Sequence, residues 1–315
     1  MSLPASAVFD EYWSAVRLSD RLRAVGAVAD SALPVQDQLA LVCRAQERVG
    51  EHWQRGIWSV AQEHAATAIA EDVIVAVGLR HQAPVTRGVV VVACGEGERH
   101  ALPARALSEL LRIDGWRCYF LGASVPSLHL SGLVEDLCPA AVAVSCSLPS
   151  SLWSVRELVE RSRALGVPVL VGGRGVGRNG VWGLRLGANR WARDAGAASA
   201  LLSSPDWPEF VAAAPLLGLP DDDARTVRVS AYTLADSVAR HLPRGDALQL
   251  VRHLAAALLV DDLSLFTDYL DWQADAMRHA GLPSSRIVSA LEALELSTPR
   301  AARFRDNAAA VVRGL

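Results

Sequence analysis

Apolar positions along the chain change their spacing twice, and these changes divide it into three segments. In the first segment apolar residues recur every three or four positions, which is typical of amphipathic helices. The runs cover residues 8–33, 35–55 and 58–80. Pro34 and Gly56 separate them, because these residue types interrupt a helix. The pattern predicts a helical bundle of three or four elements over residues 1–81.

The second segment contains continuous apolar runs rich in β-branched residues, which predict buried strands. The runs are GVVVVAC (88–94), RCYFLGA (117–123), AAVAVSC (140–146) and VPVLVGG (167–173), with RWARD (190–194) as a fifth candidate. Amphipathic helical patterns lie between them, over residues 101–113, 128–137 and 152–165. Strands that alternate with helices predict βαβ units and a doubly wound parallel sheet over residues 88–203, with ligands at the carboxyl ends of the strands.

The third segment returns to helical spacing after a linker. Residues 204–226 contain four prolines and are predicted to form this linker. Helical patterns then cover residues 228–241, 246–260, 263–280, 284–294 and 297–313. The sequence therefore predicts a multidomain protein of α and α/β class, with an N-terminal helical bundle cap, a doubly wound parallel-sheet domain and a C-terminal all-α domain over residues 227–315.

Composition narrows the classes of function. The 315 residues are 51% hydrophobic and 21% charged, and the net charge of −3 gives no basic surplus for nucleic-acid binding. All 31 cationic side chains are arginine, so no lysine is present for a Schiff base or a Walker A loop. Five cysteines without a CxxC pair favour a reducing cytoplasm. We expect neither a signal peptide nor a membrane span, because no apolar window is long enough.

The loop after the first predicted strand, GEGERHALP, carries candidate metal chemistry. It contains GxG, but His100 stands in place of the third glycine of a dinucleotide fingerprint, which disfavours a dinucleotide site. The carboxylate of Glu98 can hold one ring nitrogen of His100 and leave the other free as a metal ligand. A solvated loop histidine is the alternative.

This loop and two later motifs together resemble the cobalamin-binding Rossmann-like domain, whose pattern is DxHxxG, then SxL, then GG. The matching residues are Glu98-Arg-His100-Ala-Leu-Pro103, Ser145-Cys-Ser147 and Gly172-Gly173. The resemblance implies that His100 binds cobalt from below, in place of the cofactor's own base. It also implies that the displaced nucleotide tail lies in a cleft beside Ser145, Ser147 and the glycine pair.

A second motif lies in the helical segment that precedes this domain. Trp53 precedes Glu63 by ten residues, and His64 follows directly. A helical bundle before a cobalamin domain resembles the cap of that superfamily, and this spacing resembles its photosensory branch, which binds adenosylcobalamin. The resemblance implies that Trp53 covers the adenosyl group, that Glu63 hydrogen-bonds it and that His64 lines the same face. The family's histidine after the tryptophan is Gln54 here, so His52 and His64 are the nearest imidazoles. An exposed Glu-His pair with a core tryptophan is the alternative.

The C-terminal helical segment resembles that of the photocobilins, which add a biliverdin site of globin-like, helical type to a cobalamin sensor. No cysteine follows Cys146, so a bilin here would be bound non-covalently. The candidate residues for this site are His253, Tyr269, Trp272, Arg278 and His279. Tyr269, Trp272 and His279 share one helix face, because steps of three and four residues separate them. An ordinary helical core or a dimerisation domain is the alternative.

These features together predict a cytoplasmic light sensor rather than an enzyme. Adenosylcobalamin would bind between the cap and the Rossmann-like domain, with biliverdin in the C-terminal domain. Light would break the cobalt–carbon bond and change the contacts of a homo-oligomer, which would act on an unknown downstream protein. No nucleic-acid or membrane partner is expected. Two alternatives remain, a corrinoid carrier protein for methyl transfer and a light-independent, cobalamin-responsive interaction module.

Overall fold

The computed structural model describes residues 4–207 and 222–313 of the chain, and its first four helices form the cap. They are α1 (Ala5–Arg17), α2 (Arg21–Ala29), α3 (Val35–Gln54) and α4 (Val60–Arg80). The predicted bundle is confirmed, but the single run over 8–33 is two helices. Ser19 has a φ of 54°, and the Asp20 carboxylate caps α2 by accepting a hydrogen bond from the backbone N–H of Arg23 (3.1 Å).

The turn between α3 and α4 is held by a capping box and by stacked rings. The Ser59 hydroxyl accepts from the backbone N–H of Gln62, whose side chain accepts from the backbone N–H of Ser59. Trp58 stacks on Trp13 of α1, with ring centroids 5.3 Å apart. Glu63 lies in the first turn of α4 and is therefore placed by this turn.

The second segment forms five parallel strands, as the sequence predicted. They are β1 (Val89–Gly95), β2 (Arg117–Val125), β3 (Ala141–Ser145), β4 (Val169–Gly172) and β5 (Arg190–Ala192). Their spatial order is β2-β1-β3-β4-β5. β2 lies on one side of β1, whereas β3 lies on the other side, so the direction of the strand order reverses between β1 and β3. Such a reversal opens a crevice at the carboxyl ends of both strands, where doubly wound sheets bind ligands.

Helices cover both faces of this sheet. They are α5 (Leu102–Ile113), α6 (Ser127–Leu137), α7 (Leu152–Ala164), α8 (Val181–Arg185) and α9 (Ala195–Leu202). Side chains of β1 alternate, so Val90 and Val92 pack with α5 and α9, whereas Val91 and Ala93 pack with α6 and α7. The opposite side of α5 packs into the core of the cap. The cap therefore rests on the sheet domain through α5.

The residues after the gap form a C-terminal helical unit, as predicted. Its helices are α10 (Asp222–Val229), α11 (Ala231–Ser237), α12 (Arg244–Val260), α13 (Leu263–His279), α14 (Ser285–Ala293) and α15 (Pro299–Arg313). The single helix predicted over 228–241 is thus replaced by parts of two shorter helices. Residues 208–221 of the predicted linker 204–226 lie outside the described residues, and residues 222–226 are not a linker but the start of α10. Within 4–207 and 222–313, no helix is long and apolar enough to cross a membrane.

The C-terminal helical unit shares one hydrophobic core with the sheet domain. Apolar side chains of α6 and α7 belong to the same buried cluster as those of α12 and α13. The indole N–H of Trp153 donates to the carbonyl oxygen of Ala255 (3.3 Å), and that of Trp182 donates to Oδ2 of Asp262 (2.9 Å). Buried contacts therefore hold the unit against one face of the sheet.

Candidate functional site

A cavity of about 530 Å³ lies between the cap and the carboxyl edge of the sheet. We call it the cap cavity: α3 and α4 form its roof, and the ends of β1, β3 and β4 with their following loops form its floor. Its volume falls in the range of about 300–1,000 Å³ that is typical of small-molecule sites. It also lies beside the strand reversal between β1 and β3, where the topology alone places a ligand.

Glu98 joins the two loops that meet at this reversal. Its side chain is fully buried, and Oε1 accepts hydrogen bonds from the backbone N–H (2.9 Å) and the ring Nδ1 (2.6 Å) of His100. Oε2 accepts from the backbone N–H groups of Ser147 (2.8 Å) and Leu148 (2.9 Å) in the loop after β3. One carboxylate therefore takes four donors and fixes the loop that carries His100.

The bond to Glu98 also sets the chemistry of the His100 ring. It raises the pKa of His100 above its usual value, although partial burial opposes this. Burial would raise the pKa of Glu98, but the bonds from the His100 ring and backbone and from Leu148 hold it below its usual value. Because Nδ1 is engaged, Nε2 is the ring atom that remains for a ligand, and His100 lines the cap cavity. The ring therefore offers one nitrogen for a metal above the sheet edge.

The predicted serine and glycine motifs line the floor of the cap cavity. Ser145 ends β3 beside Gly172 of β4, and Ser147 and Gly173 follow in the adjoining loops. Gly173 has a φ of 95°, and a Cβ atom there would lie 2.2 Å from the carbonyl oxygen of Cys146. This position therefore requires glycine so that the loops after β3 and β4 can pack closely.

The roof of the cap cavity carries a chain of polar side chains. Thr67 Oγ1 donates a hydrogen bond to Glu63 Oε1 (2.8 Å), and His64 Nδ1 lies 2.9 Å from Glu63 Oε2. Gln46 of α3 donates its amide N–H to Thr67 Oγ1. All four residues line the cavity. The predicted Glu63 and His64 are thus brought together above the floor, where the carboxylate can accept hydrogen bonds from a ligand.

Several cavity residues were not among the sequence predictions, including Gln46, Glu47 and Thr67. Glu47 of α3 pairs with Arg174 of the loop after β4 (2.9 Å), so it ties the cap to the floor. Thr67 could have been found, because it lies four residues after Glu63 on one helix. The two α3 residues could not, since the sequence does not show how α3 faces α4.

Trp53 lies apart from the described residues that line the cap cavity. Its ring stacks on that of Trp272 in α13, with centroids 5.9 Å apart and planes 29° apart. The neighbouring Gln54 donates its amide N–H to Oδ2 of Asp275 (3.0 Å), also in α13. The end of α3 therefore contacts the C-terminal helical unit, and a role for Trp53 over an upper ligand stays a prediction.

His52 likewise belongs to another cluster. Its ring packs edge-on against Trp13 and Trp58, at centroid distances of 5.3 and 5.6 Å. Its Nδ1 donates to the carbonyl oxygen of Arg48 (2.9 Å). Of the two imidazoles predicted near the upper face, His64 therefore lines the cap cavity, whereas His52 packs with the aromatic rings of the cap.

The five candidate bilin residues lie on or beside α13, but their side chains do not point to one place. His253 and Tyr269 stack face to face inside the core, with centroids 3.8 Å apart. Burial lowers the pKa of His253 to about 4 and raises that of Tyr269. Trp272 lies between Tyr269 and Trp53. Arg278 and His279, at the end of α13, contact Asp275 of their own helix.

Two segments of the chain match family descriptions for cobalamin binding. Residues 88–188 match a B12 binding domain, and residues 8–77 match a second family with the same description. The first covers β1 to β4 with the His100 loop, and the second covers most of the cap. The chain therefore carries cobalamin-binding domains, in the order that the sequence predicted.

Individual proteins are similar over part of the chain. The HTH-type transcriptional repressor CarH of Myxococcus xanthus is 33% identical over 162 residues, which are 50% of this chain and 52% of the repressor. The chain thus matches about half the length of this curated relative. The structure of the monomethylamine corrinoid protein of Methanosarcina barkeri superposes with a TM-score of 0.56 at 15% identity, covering 63% of this chain and 98% of that protein. At that identity the likeness concerns the fold alone.

Proposed function

We propose that this protein is a light sensor that holds adenosylcobalamin in the cap cavity. The observation that carries the proposal is the arrangement of His100 and Glu63 on opposite sides of that cavity. Below, the four hydrogen bonds at Glu98 leave only Nε2 of His100 for a metal. Above, Glu63 offers a carboxylate to an upper ligand. Support comes from the match to B12 binding domains and from the Glu63-His64 pair that lines the roof.

The side chains of the cavity fit the separate parts of such a cofactor. His100 would hold the cobalt, and Glu98 would keep the ring in the required tautomer. Ser145 and Ser147, with the glycine pair beside them, would border the nucleotide tail along the floor. Bound adenosylcobalamin would supply a cobalt–carbon bond that light breaks. The loss of the adenosyl contact at Glu63 would then release a contact between the roof and the floor of the cavity.

The response of the protein, rather than that of the cofactor, tests light sensing. The purified protein would be loaded with adenosylcobalamin in the dark, and its mass measured by light scattering before and after illumination. We expect the mass to change, because the homo-oligomer would rearrange when the cap loses its contact. An unchanged mass and an unchanged pattern of hydrogen exchange in the cap would contradict a sensor and favour a light-independent cobalamin module.

Substitution of His100 tests the lower ligand. His100→Ala should abolish the spectrum of histidine-ligated cobalamin and weaken binding. His129→Ala is the matched control, because this exposed histidine lies on α6, outside the lining of the cap cavity. Equal spectra for both variants would refute the assignment of His100.

A non-covalent bilin in the C-terminal helical unit is the second part of the proposal. Trp272 is half-exposed beside Trp53, and Arg278 follows on the same helix, so an aromatic surface lies near a guanidinium group, with His279 next to it. Expression with biliverdin should give a red-absorbing band that is released as free pigment by acid denaturation. If excess biliverdin gives no band beyond that of cobalamin, the unit is a structural or dimerising module, and the stacked His253 and Tyr269 are only its core.

A corrinoid carrier for methyl transfer is the competing function, because such a carrier would share the helical cap and the His100 loop. A carrier has no need to select adenosyl over methyl at the upper face. Equal affinities for methylcobalamin and adenosylcobalamin, together with no response to light, would favour the carrier. A preference for the adenosyl form that is lost in Glu63→Gln would favour the sensor.

A further inference from the structure

We propose that Thr67 and Gln46 are positioning residues that set the orientation of Glu63 and thereby the selectivity for the upper ligand. The inference rests on the proposed function, in which Glu63 accepts a hydrogen bond from that ligand. Glu63 and Thr67 lie one turn apart on α4, whereas Gln46 reaches them from α3. The three side chains form a continuous chain of hydrogen bonds along the roof of the cap cavity.

The direction of each bond in this chain is fixed by chemistry. An ionised carboxylate only accepts hydrogen bonds, so the single O–H of Thr67 must be donated to Glu63 Oε1. The Thr67 oxygen can then only accept, and Gln46 must present its amide N–H group to it. The carbonyl oxygen of the Gln46 side chain therefore cannot face Thr67, because two accepting oxygens would then meet.

Nδ1 of His64 lies 2.9 Å from the second oxygen of Glu63, so the two side chains are in contact. Thr67 is therefore the hydrogen-bond donor that orients the carboxylate, and the remaining lone pairs are left for a ligand. The Glu63 side chain is 27% exposed, so the packing around it does not by itself restrict its rotamers to one. The bond from Thr67, supported by Gln46, therefore provides a restraint that packing does not.

A ligand that binds Glu63 must donate hydrogen bonds. The carboxylate presents only accepting oxygens, and the Thr67 hydroxyl hydrogen and one amide hydrogen of Gln46 are already used between residues. An adenosyl group carries hydroxyl and amino donors, whereas a methyl or hydroxo ligand offers few or none. Correct orientation of Glu63 should therefore favour the adenosyl form specifically, and loss of orientation should lower its affinity more than that of smaller forms.

The test compares the ratio of the dissociation constants for hydroxocobalamin and adenosylcobalamin in the dark. Thr67→Val has the same shape without the hydroxyl, and we expect it to lower this ratio about tenfold, the effect of one ordinary hydrogen bond. Thr67→Ser keeps the hydroxyl and should restore most of the ratio. Gln46→Met interrupts the same series of hydrogen bonds from the α3 side, and it serves as the test if the valine variant does not fold. The melting temperature of each cofactor-free variant reports general damage.

Double variants separate positioning from direct contact. In a Glu63→Gln background, Thr67→Val should have no further effect on the ratio, because its influence passes through Glu63. A full additional loss would overturn the inference, since Thr67 would then contact the ligand itself. A normal ratio in both Thr67→Val and Gln46→Met, with a lowered ratio in Glu63→Gln, would also overturn it while the proposed function stands. An unchanged ratio in Glu63→Gln would remove the proposed role of Glu63 and the inference together.

Discussion

Glu98→Gln removes the negative charge that holds the His100 loop against the loop after β3, with almost no change in size. A glutamine amide has one accepting oxygen and one donating nitrogen. In one orientation its NH2 group faces the backbone and ring donors of His100, and in the other it faces the N–H groups of Ser147 and Leu148. As long as Nδ1 of His100 keeps its hydrogen, two of the four hydrogen bonds are lost in either case, and the remaining two lose the negative charge of the acceptor.

The size of the effect follows from these counts. Hydrogen bonds to a charged group contribute about 1.5–3 kcal/mol each, so two lost bonds cost about 3–6 kcal/mol. A neutral amide is cheaper to bury than a carboxylate, which offsets part of this loss. We therefore expect the local free energy that holds the two loops together to fall by about 2–4 kcal/mol.

Amide hydrogen exchange of Ser147 and Leu148 in the cofactor-free protein measures this free energy directly. Their exchange should accelerate at least about thirtyfold, the equivalent of 2 kcal/mol, and cobalamin should bind more weakly. Glu96→Gln is the control, because it makes the same chemical change at an exposed position of the same loop. Glu98→Asp keeps the charge and should lie between the two. If Glu98→Gln and Glu96→Gln exchange and bind alike, the carboxylate does not join the loops.

Three further predictions concern other parts of the molecule. Trp53→Ala and Trp272→Ala together should lower the free energy of unfolding by about 0.5–1.5 kcal/mol less than the sum of the two single changes, as measured in a denaturant double-mutant cycle. Additive losses would show that the rings do not interact. The pKa of about 4 for buried His253 lies below its ordinary value of 6.5, so its contribution to stability is complete above pH 6.5 and lost as the pH falls toward 4. The free energy of unfolding of His253→Phe should therefore fall by about 3 kcal/mol less than that of the wild type as the pH is lowered over that interval. Parallel plots of this free energy against pH would contradict the prediction. Gly173→Ala should destabilise the protein by about 2–4 kcal/mol through its positive φ and the clash behind it, whereas Gly132→Ala, with open space around it, should not; similar melting temperatures for both would refute the close packing of the loops.

The sequence predicted the sheet domain well because buried parallel strands have a distinctive composition. The run predicted over 140–146 is β3, and that over 190–194 contains β5, although β5 is only three residues long. Glu98 was predicted to hold a nitrogen of His100, and this hydrogen bond is present, because the two side chains are only two residues apart. Local patterns therefore sufficed wherever the partners were local.

The partners that the sequence did not show are either backbone groups or side chains from distant segments. The N–H groups of Ser147 and Leu148 bind Glu98 through the main chain, which leaves no mark on residue type. Trp272 meets Trp53 across most of the length of the chain. The break at Ser19 was missed because apolar spacing continues through it, while the turn depends on one residue with a positive φ.

α3 connects the cap cavity to the C-terminal helical unit through one rigid element. Gln46 faces the cavity, and Trp53, seven residues later on the same helix, contacts α13. Two helical turns separate them, a distance of about 10 Å along the axis. If α3 moved as a rigid body at the cavity, Trp53 would move against Trp272 as well. One helix, α3, therefore contacts both the cavity and the C-terminal helical unit.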